Sequence, residues 1–157
     1  MGKWRNLFEA TLLPPGEREF GEYYVFNPPA THEQLASVEE GLGFPLPDEV
    51  REMLQEFNGV RQGTSFSEPG SHYFSTAEML GFVRDYVEQW EDETLDELAR
   101  HVVFICHENG LADLYGVVVR DCAGFRTGEV IRVDHEDVAF PMKWFESLAE
   151  LVRDGPK

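Results

Sequence analysis

The chain has 157 residues, 42% of them hydrophobic, and its 30 acidic against 13 basic side chains give a formal net charge of −17. That is enough chain for one hydrophobic core and argues against two domains. The acidity disfavours nucleic-acid phosphates as a partner, no apolar run approaches the roughly 20 residues of a bilayer span, and a basic protein is the partner that would be attracted.

The start, Met1-Gly2-Lys3-Trp4-Arg5-Asn6, has neither the apolar stretch of a signal peptide nor the Ser or Thr of a myristoylation signal, so a cytoplasmic protein without a lipid anchor is expected. Cys106 and Cys122 form no dense framework and are expected as reduced thiols. Residues 1–30 hold Trp4, Leu7, Phe8 and Leu12 in a first short element, then Pro14-Pro15-Gly16, then an edge strand at Tyr23, Tyr24, Val25 and Phe26. They are read as an N-terminal extension or edge element of a single domain over 1–157. The aromatic residues there are read as core in preference to a ligand shelf.

Residues 31–59 organise the rest. Thr31 and Gln34 have the spacing of a capping box, and Leu35, Val38 and Leu42 follow on one helical stripe. Gly43 suits a left-handed helix exit, and Leu46-Pro47 restarts the chain with proline in a first turn. Asp48 and Glu49 favour the positive end of a second helix, Val50, Met53, Leu54 and Phe57 make its buried side, and Asn58-Gly59 is expected to cap it.

Residues 60–72 have turn or loop composition, with Phe66 standing out, and are read as a loop with or without a short strand in it. Ser75 and Glu78 repeat the capping box ahead of Leu80, Val83, Val87 and Trp90, and a short helix is expected over 94–99. Residues 102–106 read as a central strand, turning at Asn109-Gly110 into a second strand over 111–119. A polar connection over 120–128 leads to a strand over 129–133. A closing helix then starts at Pro141, carries Trp144, Phe145, Leu148, Leu151 and Val152 on one face, and exits at Gly155. The fold class is α+β: an antiparallel sheet packed with N-terminal helices and a C-terminal helix.

Chemistry-bearing residues are plentiful but poorly arranged. Cys106 and His107 alternate across a strand and point apart, which disfavours a thiolate-imidazole pair. Only three residues separate Cys122 from Arg126, too few for a catalytic phosphate loop. His101, His107 and His135 lack a metal-ligand spacing, and Asp134, Glu136 and Asp137 lack the glycine turn of a calcium loop. No catalytic residue, cofactor or metal is therefore assigned. Acidity concentrates instead at Asp85, Glu88, Glu91, Asp92, Glu93, Asp96 and Glu97, a run with no Lys or Arg. It is either a solvated helix face or a docking surface for a cationic protein.

The order of landmarks from about Thr31 onward resembles the SUKH superfamily, which includes yeast cell-wall assembly regulator-like domains and bacterial toxin-immunity proteins. The resemblance is carried by Leu35-Ala36-Ser37-Val38-Glu39-Glu40-Gly41-Leu42-Gly43-Phe44-Pro45-Leu46-Pro47 and Phe57-Asn58-Gly59, with Glu39, Gly43, Leu46, Pro47, Asn58 and Gly59 matching the pattern. Asp113, Val130-Ile131, His135, Trp144-Phe145 and Leu148 resemble its later sheet motif, strand and closing helix. Ala112, Val50 and Val60 depart from it.

The resemblance implies a SUKH-like domain that binds protein without catalysis. Its leading form is an immunity protein that neutralises a cognate bacterial toxin, such as a nuclease. The alternative is a regulatory or scaffold interaction module, with a small enzyme or ligand-binding domain ranked third. Oligomeric state and the location of the interface stay open.

Overall fold

The computed structural model describes residues 2–12, 23–63, 71–82, 85, 93–108, 113–134, 136 and 141–155. Thr31 opens the first helix of the central hairpin. Its hydroxyl accepts the Gln34 N–H at 3.1 Å while the Gln34 side chain accepts the Thr31 N–H at 2.9 Å. Two donors with no partner inside the helix are thereby satisfied. Counting α1 as Lys3–Ala10 and β1 as Tyr23–Phe26, this helix is α2, His32–Leu42, and it buries Leu35 and Val38. Gly43 ends it at φ +80°, a conformation that a side chain disfavours, and donates its N–H to Glu39 O at 2.9 Å.

Helix α3, Asp48–Glu56, follows with Val50, Met53 and Leu54 buried. Pro47 sits at its N-cap, one position before the expected first turn. The expected Asn58-Gly59 cap is also corrected: Phe57 is already extended and buried, so the helix stops as its last aromatic enters the core.

Beyond the hairpin come β2 (Val60–Gly63), β3 (His72–Tyr73), α4 (Thr76–Phe82), α5 (Glu93–Ala99), β4 (Val102–His107), β5 (Leu114–Val118), β6 (Val130–Val133), β7 (Met142–Phe145) and α6 (Leu148–Asp154). The seven strands form one antiparallel sheet in chain order, with β4 central. Val102, Val103, Phe104, Ile105 and Cys106 are all buried, as their continuous apolarity predicts.

A bulge between Phe104 and Cys106 turns their side chains to opposite faces, Phe104 opposing Gly116 and Cys106 opposing Tyr115. On the Cys106 face Tyr73 meets Phe8 of α1, ring centroids 4.8 Å apart. On the other, Phe104 meets Phe82 of α4 at 5.3 Å. Helices therefore cover both faces: α1 packs against α3 and α6, while α4 and α5 lie against β4. The turn at Asn109-Gly110 and the residues Phe66, Val83, Val87 and Trp90 lie outside the described residues.

Residues 60–63 and 72–73, at the two ends of the expected 60–72 loop, are strands β2 and β3, and the closing helix differs from the sequence-based expectation as well. Met142–Phe145 is not the first turn of the closing helix but edge strand β7, paired with β6 through Val130↔Phe145, Ile131↔Lys143 and Arg132↔Met142. The β6 edge offers ladder hydrogen bonds that an isolated helical turn cannot match. Helix α6 begins only after Ser147, whose hydroxyl accepts the Glu150 N–H at 3.3 Å. The Ser147-x-x-Glu150 spacing was the signal for that start.

Candidate functional site

The residues that match the SUKH pattern gather into three structural joints. In the first, Glu39 Oε1 accepts the Leu46 N–H at 2.8 Å and forms an ion pair with Arg51. One carboxylate on the last turn of α2 thus holds the chain at Leu46, ahead of the Pro47 cap, and the first turn of α3. Leu46 is buried, and Gly43 lies between as the exit from α2.

In the second joint, Asn58 Oδ1 accepts the Thr76 N–H at 2.8 Å and its Nδ2 donates to Thr76 Oγ1 at 3.2 Å. Its backbone N–H donates to Pro28 O at 2.9 Å, so one asparagine ties the chain after β1 and the start of β2 to α4. Gly59 has φ +94°, and a Cβ there would sit 2.9 Å from Ser75 N. Backbone conformation and close approach both require glycine. Ser75 and Glu78 complete the expected reciprocal cap, at 3.3 and 2.8 Å.

In the third, Asp113 is 1% exposed and paired with Arg132, whose Nε donates to Asp113 Oδ2 at 2.7 Å. The guanidinium lies 4.8 Å from the Trp144 ring of β7. Burial opposes the Arg132 charge, and the Asp113 carboxylate more than restores it, so its pKa is raised. Nearby, burial and then Asp113 push the Glu108 carboxyl up, while burial and then His72 hold His107 below its usual value. Burial also pushes the Cys106 thiol up, as it does that of Cys122, where Glu97 and Asp121 add to the effect. That is the opposite of what an activated nucleophile requires.

Three members of the acidic run, Glu93, Asp96 and Glu97, are exposed on α5 while Leu95 and Leu98 bury its other side. Asp85 is exposed as well, and Glu88, Glu91 and Asp92 lie outside the described residues. Glu97 is not an unpaired charge: Arg100 approaches it at 3.7 Å and His101 at 3.6 Å. These partners lie just past the cation-free run, one turn along.

A groove of about 460 Å³ is formed by residues at the start of α3, the end of β5 and the approach to α6. Pro45, Leu46, Pro47, Val117 and Val119 line it, with Asp48, Glu49 and Glu146 among its other walls. The Val119 N–H donates to His101 O at 2.8 Å, which joins the groove to the exit from α5. Its walls come from positions about 100 residues apart, so no local spacing announces it. Glu49 accepts the Leu148 N–H at 3.0 Å, and Glu56 accepts the Trp4 and Arg5 N–H groups at 3.1 Å. The acidic stripe of α3 therefore caps two other helices, stabilising their positive ends.

Next to the groove, Glu129 accepts from Arg126 N at 2.8 Å, Arg126 Nε at 3.0 Å and Lys143 Nζ at 2.9 Å. The Arg126 amide and Lys143 lead the effects that hold its carboxyl down to about 2. An unfolded glutamate titrates near 4.3, so this stabilisation should be complete above that pH and lost as pH falls through 2. Denaturation midpoints measured from pH 5 to pH 2 should fall in the wild type, and Glu129→Gln should flatten the curve over that window.

The seven-stranded meander covered by helices on both faces, with the Glu39 joint at one end of the hairpin and the Asn58 joint at the other, defines an α+β domain of SUKH type. The SMI1/KNR4 family (SUKH-1) matches residues 29–154, and the chain belongs to that family. No individual curated protein matches the chain. Helix α1 and strand β1 precede the matched span. Among the described residues no helix is long and apolar enough to cross a membrane.

Proposed function

We propose that this protein is a non-catalytic binding domain, an immunity protein that neutralises a basic cognate toxin in the cytoplasm by occupying its working surface. SMI1/KNR4 membership is consistent with an immunity or regulatory role. The observation that carries the choice is the exposed acidic face of α5, with Glu93, Asp96 and Glu97, on a chain of net charge −17. A surface of one sign speeds capture of an opposite charge, and close packing then blocks the partner's substrate site.

The test is capture of a partner from the native organism, followed by rescue of cells expressing that partner. Selective capture without rescue would favour a regulatory or scaffold role. In the captured pair, exchanging Asp85, Glu93, Asp96 and Glu97 for Ser or Gln should leave the fold intact. The association rate should fall about tenfold or more at low salt, with a flatter salt dependence. An unchanged rate in stopped-flow measurements would remove α5 from the encounter surface.

A further inference from the structure

Building on the binding role above, we propose that the groove floored by Leu46, Pro47, Val117 and Val119 receives an arginine or lysine side chain of the partner polypeptide. The alkyl stem would lie on that floor and the charged head would reach Asp48, with Glu146 beside it. Most of the lining is apolar, and among the described residues its ionisable members are all carboxylates, with no Lys or Arg. An anion would meet like charge there, and a purely apolar group would cover carboxylates without partnering them. A long alkyl stem with a cationic tip satisfies both parts of the surface.

The local charge balance supports a cation. Glu146 shares Lys143 and Arg126 with Glu129. Asp48, Glu49, Glu129 and Glu146 set against those two cations leave two negative charges in excess. The N-terminus of α3 contributes only about +0.5 of a charge, which does not reverse the sign. Glu49 already accepts the Leu148 N–H and Glu146 already holds Lys143 and Arg126, so Asp48 is the carboxylate assigned first to the guest, with Glu146 adding negative charge beside it. The groove volume, about 460 Å³, lies in the range of small-ligand pockets and leaves room for the backbone that presents the side chain.

The test is an amide-shift NMR titration with N-acetyl-arginine amide, using the neutral N-acetyl-citrulline amide as control. Saturable shifts at Leu46, Val119, Gly128 and Ser147 are expected with arginine and not with citrulline. Asp48→Asn combined with Glu146→Gln should weaken arginine binding about tenfold, the effect of losing about 1.4 kcal/mol, with the thermal melt monitored to verify folding.

Equal shifts from citrulline, shifts scattered over carboxylates remote from the groove, or unchanged affinity in the double variant would each overturn the proposal. So would the same amides shifting with protein concentration alone, which would assign the groove to a second copy. The probe requires no toxin, so arginine binding in a protein that rescues no cells would refute the immunity role and leave this site standing.

Discussion

Replacing Arg132 with methionine should lower the stability of the fold by about 3 kcal/mol, the scale on which removing one member of a buried ion pair leaves the other desolvated. Asp113 is 1% exposed and the Arg132 side chain 17%, so water can replace little of what the guanidinium supplies. Methionine keeps most of the chain volume over Trp144 but forfeits the charge-assisted bonds and the cation–π contact. Adding Asp113→Asn should recover a substantial part of the loss, because a neutral amide costs less to bury than a carboxylate. Urea denaturation of the wild type and the two variants provides the comparison. A loss below 1 kcal/mol for Arg132→Met would place the pair among exposed bridges of little consequence.

Phe8→Ala should cost about 4 kcal/mol, as expected for emptying the site of a fully enclosed aromatic ring. Phe8 is 1% exposed and meets Tyr24, Phe57 and Tyr73 edge-on at 5.3, 5.5 and 4.8 Å. Such pairs add roughly 0.5–1.5 kcal/mol each beyond area burial, and collapse around the cavity would require the sheet and α3 to move together. The residue precedes the span 29–154 matched by the family, so the measurement also asks whether α1 is part of this protein's core. A denaturation midpoint close to wild type would mean that α1 does not close that face of the sheet.

Much of this architecture was legible because the interactions responsible are local. The boxes Thr31/Gln34 and Ser75/Glu78 close over three residues, Gly43 supplies its own backbone freedom, and the apolar run at 102–106 could be buried on both faces only as an inner strand. The family pattern was legible as well, yet its residues proved to be structural joints. Asn58 looked like the cap of the helix before it and instead grips the helix after it, through Thr76.

The acidic run was visible as charge, while the pairing of Glu97 with Arg100 and His101 depended on where α5 ends. Met142–Phe145 satisfied either periodicity, and the free edge of β6 made it a strand.

By itself, then, the sequence determined where most helices begin and stop, which strand lies at the centre, and the sign of the surface, since these follow from contacts a few residues apart and from composition. Tertiary structure alone decided which carboxylates are committed. Glu49 and Glu56 cap helices far away in the chain, Asp113 meets Arg132 across two strands, and Asp48 and Glu146 come to share one groove. A carboxylate accepts from whichever donor the fold brings within about 3 Å, and no spacing along the chain specifies that neighbour.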